Sequence, residues 1–80
     1  MKTLRNKLKH AEPYRVRDEL MPLLFFRDDL DRWVFEYSFV TRLNDIKIGL
    51  RLNCDQSTVY RKSIEIIKNN KTAITNFFTK

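Results

Sequence analysis

The chain has 80 residues, 42% of them hydrophobic, with one glycine, two prolines and one cysteine. That suffices for one small domain with a modest core. It leaves little material for hairpin turns, so the expected fold is all-α, a small helical domain of four to five helices. The lone Cys54 excludes an internal disulfide framework and a cysteine-based zinc cluster, which fits a reducing, cytoplasmic setting. The net charge of +6 is unevenly placed, with residues 1–17 at +5, 18–45 at −4 and 46–80 at +5. Basic segments on both sides of an acidic middle suit a polyanionic partner, because Lys and Arg that neutralise phosphates release condensed counterions.

In chain order, residues 1–13 form a basic N-terminal arm or a short helix, with Leu4, Leu8 and Ala11 on one stripe. Pro13 separates this piece from a helical domain over 14–80. Residues 15–26 form a helical stretch broken near Met21, because Pro22 removes an N–H and clashes with the preceding turn. The apolar run Leu23 to Phe26 is too short for a membrane span or a signal-peptide core. Asp28 caps the next helix, and Asp29 and Asp31 in its first turn suit the helix dipole. Along this helix Leu30, Trp33, Val34, Tyr37 and Val40 share one face, and Phe35 and Phe39 fall on another. The second face is to be covered by the N-terminal segment or by a dimer partner.

Asn44 then caps a short helix of about 45–52 with Ile48, Gly49 and Leu52 inward. Asn53, Cys54 and Asp55 read as a turn, with Asp55 capping a helix of about 56–69 whose inner face is Val59, Ser63, Ile66 and Ile67. Asn69 and Asn70 end it, and Ile74, Phe77 and Phe78 form one more apolar stripe. Phe77 with Phe78, and Phe35 with Phe39, are candidate dimer surfaces.

The span of about 43–69 meets the requirements of a helix-turn-helix: a small residue in the first helix, a short capped turn, and a second helix apolar inward and polar outward. Its outward side chains Gln56, Ser57, Tyr60 and Arg61 are candidates for base contacts in the major groove. Arg42, Lys47, Arg51, Thr58, Lys62 and Lys68 are candidates for phosphate contacts.

The residues Leu43-Asn44-Asp45-Ile46-Lys47-Ile48-Gly49 and Cys54-Asp55-Gln56-Ser57-Thr58-Val59-Tyr60-Arg61 resemble the helix-turn-helix of sigma factor region 4 and of phage ArpU-type transcriptional regulators. The likeness covers roughly residues 24–68. Lys47 stands where an acidic residue is common, Gly49 replaces the usual alanine, Asn53 a frequent glycine, and Asp55 the usual Ser or Thr cap. The resemblance implies a sequence-specific DNA-binding transcription regulator of phage or bacterial type, cytoplasmic in a bacterial cell or a phage-infected host. Its partners would be double-stranded DNA, a second copy in a homodimer if the site is palindromic, and RNA polymerase or another regulatory protein. The alternative is an interaction module that binds such a protein instead of DNA, and a second is a nonspecific binder driven by charge alone.

His10 is isolated, and the Asp28, Asp29 and Asp31 group is explained by helix capping. Neither a Gly-rich phosphate loop nor an activated nucleophile is present, so no enzyme, metal or cofactor is expected.

Overall fold

A computed structural model of the chain describes residues 2–79, with side chains from Leu4 onward. Met1, Lys80 and the side chains of Lys2 and Thr3 lie outside that description, so the ends of the 1–13 and 14–80 segments, and Lys2 as one cation of the basic arm, are not covered. The described residues contain helices and no strand. The order is α1 (Lys2–His10), α2 (Pro13–Arg15), a π-helical turn (Val16–Leu20), a 3-10 turn (Met21–Leu23), α3 (Asp29–Phe39), α4 (Asp45–Leu52), α5 (Gln56–Asn69) and α6 (Lys71–Thr79). The helical pieces outnumber the four or five expected from sequence, because the basic N-terminal segment is a helix and the stretch after Pro13 changes its pitch twice.

The pitch changes follow from the prolines. Pro13 opens α2, where its missing N–H costs nothing. Pro22 cannot donate to the carbonyl of Asp18, and its ring crowds that carbonyl. The backbone widens ahead of it into the π turn, closed by Met21 N–H donating to Val16 O. It then tightens into the 3-10 turn, which ends as Leu24 N–H donates to Met21 O at 3.1 Å.

The core gathers Leu8 of α1, Val16 and Leu20 of the π turn, Val34, Phe35 and Phe39 of α3, Ile48 of α4, Val59, Ile66 and Ile67 of α5, and Ile74 and Phe77 of α6. The Phe35 ring sits 5.8 Å from Phe26 and 4.9 Å from Phe39, centroid to centroid, both tilted. Phe35 and Phe39 are completely buried and Phe77 is 8% exposed. These three rings therefore face the interior, so the Phe35/Phe39 face is closed within the chain, while Phe78, edge-on to Phe77 at 5.1 Å, stays half-buried.

The inward face of α3 also differs from the expected stripe. Asp31, Val34, Phe35, Ser38 and Phe39 are buried, whereas Trp33 is 43% exposed and Tyr37 half-buried. With aromatic residues on both sides of the helix, spacing alone does not select the inner one, and the phenylalanines, having no polar atom, take the core. Asp28 caps α3 as expected, its Oδ1 accepting from Asp31 N–H at 2.9 Å. Asp31 is more than a first-turn carboxylate: its side chain is buried and receives Lys62 Nζ at 3.2 Å and Arg27 Nε at 3.5 Å.

Asn70 does more than stop α5. Its side chain is buried, accepts from Phe25 N–H at 2.7 Å, and donates to Phe25 O at 2.8 Å and Ile66 O at 2.9 Å. It thus fixes the strand-like link before α3 to the α5–α6 corner. Asn70→Leu is expected to cost about 2 kcal/mol, since it leaves the backbone N–H and C=O of Phe25 without their partner, while Ile66 O keeps the backbone N–H of residue 70. Urea unfolding checks this, and a shift under about 0.5 kcal/mol, the size of an ordinary surface substitution, counts against the clamp.

Candidate nucleic-acid interface

The unit formed by α4, its turn and α5 is built from local rules. Asn44 is extended and its Oδ1 accepts from Lys47 N–H at 2.8 Å, which starts α4. Ile48 and Gly49 are buried, and Leu52 packs partly against the core. The helix ends at Asn53, which adopts a left-handed conformation (φ 58°, ψ 47°). Asparagine tolerates this region better than most residues. Cys54 N–H then donates to Gly49 O at 2.8 Å, and its thiol, half-buried against the core, to Leu52 O at 3.4 Å.

This turn doubles back so tightly that a Cβ at Gly49 would collide with the carbonyl oxygen of Cys54, and would lie 3.5 Å from Cys54 C and 3.6 Å from Asp55 C. The requirement is stricter than the sequence suggested. A small residue was expected at 49, with alanine usual in the resembling families, but this turn leaves room for glycine alone. Asp55 stands at the N-cap of α5 with extended backbone, yet its side chain makes no capping hydrogen bond. Its exposed carboxylate is free to hydrate, and the first turn of α5 is closed by Val59 N–H donating to Asp55 O at 3.1 Å.

From that turn α5 runs as one 14-residue helix with Val59, Ser63, Ile66 and Ile67 inward, the expected set. Gln56, Ser57, Tyr60 and Arg61 are all exposed, within the first two turns. Thr58 is half-buried, and Lys68 is exposed in the last turn of α5. Lys62 is held by buried Asp31, so its ammonium belongs to an internal pair. Beyond α5, Lys47 and Arg51 are exposed on α4, with the Arg51 guanidinium 5.8 Å from the Tyr37 ring centroid. Arg42 is exposed just before α4, itself left-handed at φ 64°.

Spacing did not reveal the part played by Arg5. From α1 its guanidinium reaches three groups: it donates to Ser63 Oγ at 3.4 Å, pairs with Asp45 Oδ2 at 3.6 Å, and lies 4.9 Å from the Tyr60 ring centroid. The Ser63 hydroxyl in turn donates to Tyr60 O at 2.8 Å. Arg5 therefore ties α1 to the start of α4 and the middle of α5 and covers one side of the ring of Tyr60, a residue 39% exposed. Partial burial and the nearby Arg5 pull the Lys9 ammonium below its ordinary range, against the opposing pull of Asp45. The only sequence signal for this arrangement is that Arg5 and Leu8 can share a face of a short helix.

Among the described residues, no three His, Cys, Asp or Glu side chains are grouped so as to hold a metal ion, and no helix is long and apolar enough to cross a membrane. Comparison of the chain with protein-family models, curated proteins and solved structures returned no match.

Proposed function

We propose that α4, its turn and α5 act as a helix-turn-helix in a sequence-specific DNA-binding transcription regulator, with α5 as the recognition helix. The observation that carries this reading is the exposed set Gln56, Ser57, Tyr60 and Arg61 on the first two turns of α5, a helix whose start is fixed by the close Gly49–Cys54 approach. A major groove admits an α-helix, and these side-chain types match its edges: Gln pairs with adenine, Arg bidentately with guanine. The position of Tyr60 is held by Arg5, so at least one of the four is pre-positioned. Lys68 and Thr58 lie on the same helix for phosphate contacts, and Arg42, Lys47 and Arg51 add to the positive field that draws a duplex in. The likeness of residues 43–61 to sigma factor region 4 and ArpU-type regulators points the same way.

Selection of bound sites from a random duplex pool tests the proposal. The selected sites converge on a short motif, and Arg61→Ala weakens binding to it by about 1–3 kcal/mol while relaxing preference at one position. A pool that fails to converge, with affinity indifferent to Arg61, leaves only charge-driven binding and defeats the reading.

A further inference from the structure

Leu50 is 80% exposed and Ile46 57%, one turn apart on α4. Leu50 shares a shallow depression of about 450 Å³ with Leu43, Lys47 and Arg51. Arg51 lies over the Tyr37 ring, and Tyr37 stacks on Trp33 with centroids 5.8 Å apart and planes 24° apart. Leu50, Arg51, Tyr37 and Trp33 therefore make one continuous surface across α4 and α3. Tryptophan, tyrosine and arginine are the side chains that dominate protein interfaces when desolvated.

The charge along this surface specifies the occupant. Arg42, Lys47 and Arg51 border its α4 end, and none of them makes an ion pair among the described residues. Glu36 of α3 is not part of it, since it lines a separate hollow with Arg17 and Arg32. A carboxylate, Asp29, lies one turn before Trp33, at the end away from α4. A phosphate backbone offers nothing to Leu50 or Trp33, while an amphipathic helix with an acidic flank offers both an apolar stripe and counter-charges. We infer that the Trp33–Tyr37–Arg51–Leu50 surface docks a partner protein through an amphipathic helix whose acidic flank meets Arg42, Lys47 and Arg51.

Trp33 is the single tryptophan, so its emission reports directly on the surface. The probes are two Trp-free amphipathic peptides of about 18 residues with the same leucine stripe, one flanked by glutamate and one by lysine. The glutamate peptide shifts Trp33 emission to the blue and saturates, and the lysine peptide binds at least about tenfold more weakly. Leu50→Ser weakens both peptides, and Lys47→Gln with Arg51→Gln removes the preference between them. Because Leu50 is so exposed, Leu50→Ser leaves the thermal midpoint in place. It also leaves DNA binding in place, so the surface and the α5 reading fail separately. The inference is overturned if the glutamate peptide does not bind, if both peptides bind alike, or if Leu50→Ser changes nothing. It is equally overturned if light scattering finds a dimer that Leu50→Ser returns to monomer, since a second copy then covers the surface.

Discussion

Gly49→Ala lowers the stability of this domain by about 1 kcal/mol, and Gly49→Leu prevents folding. The first result runs against local propensity, because alanine inside a helix is favoured over glycine by about 0.8–1 kcal/mol. The reversal comes from the turn. The atom that the new Cβ meets is a backbone oxygen, that of Cys54, and the Cys54 amide is held at 2.8 Å to Gly49 O itself. Neither can give way without moving the start of α5 or leaving the left-handed geometry of Asn53. Forced overpacking of this kind typically costs about 1–3 kcal/mol, enough to cancel the propensity gain and leave a net loss. For a domain of this length each kcal/mol lowers the midpoint by roughly 4–8 °C, so calorimetry resolves the alanine variant easily. Leucine adds a branched side chain in a place with no room for its first carbon, and the total stability of so small a domain is only about 4–12 kcal/mol. A Gly49→Ala variant that melts above the parent would mean that α4 and α5 do not approach as closely as described.

The part of the fold that was legible in the sequence is the part decided by neighbours along the chain. Asn44 three residues before Lys47, the Asn53-Cys54-Asp55 turn and the Val59, Ser63, Ile66, Ile67 spacing all lie in or next to α4 and α5, and the helix boundaries and the buried face of α5 came out as read, although Asp55 makes no side-chain cap and Leu52 is only half-buried. Of the side chains nominated on α5, Gln56, Ser57, Tyr60, Arg61 and Lys68 were legible for the same reason, since a residue opposite an apolar stripe is exposed, whereas Thr58 is half-buried and Lys62 turns to Asp31. What was not legible depends on partners far apart in sequence. Arg5 meets Ser63 across 58 positions, Asn70 meets Phe25 across 45, and Lys62 meets Asp31 across 31. Nothing in the spacing of Lys62 distinguishes a cation aimed at phosphate from one aimed at a buried carboxylate. On α3 the difficulty was ambiguity: Trp33 and Tyr37 at one helical interval and Phe35 and Phe39 at another are equally good stripes, and the choice falls to the phenylalanines, which have no polar atom and pack into the core, Phe35 against Phe26 and Phe39.

The pair of Asp31 and Lys62 yields the other large effect. The Asp31 side chain is 3% exposed and that of Lys62 20%, so both charges have left most of their water. Asp31 also receives Arg27 at 3.5 Å, and Arg27 binds Glu65 at 2.6 Å, which links the segment before α3 to α3 and α5. Removing one partner of a buried pair costs about 3–5 kcal/mol, because the other charge stays behind uncompensated. Lys62 keeps some contact with solvent and Arg27 keeps Glu65, so the expected loss for Asp31→Leu falls to about 2–3 kcal/mol. The double variant Asp31→Leu with Lys62→Met is expected to recover most of that loss, since replacing both members of a buried pair by apolar residues is close to neutral. A double-mutant cycle by urea unfolding isolates the coupling from the packing changes. The same variants test whether Lys62 serves DNA. If its ammonium is committed to Asp31, Lys62→Met in the double variant leaves the dependence of DNA affinity on salt unchanged, whereas a cation that touches phosphate would lower that slope by about one.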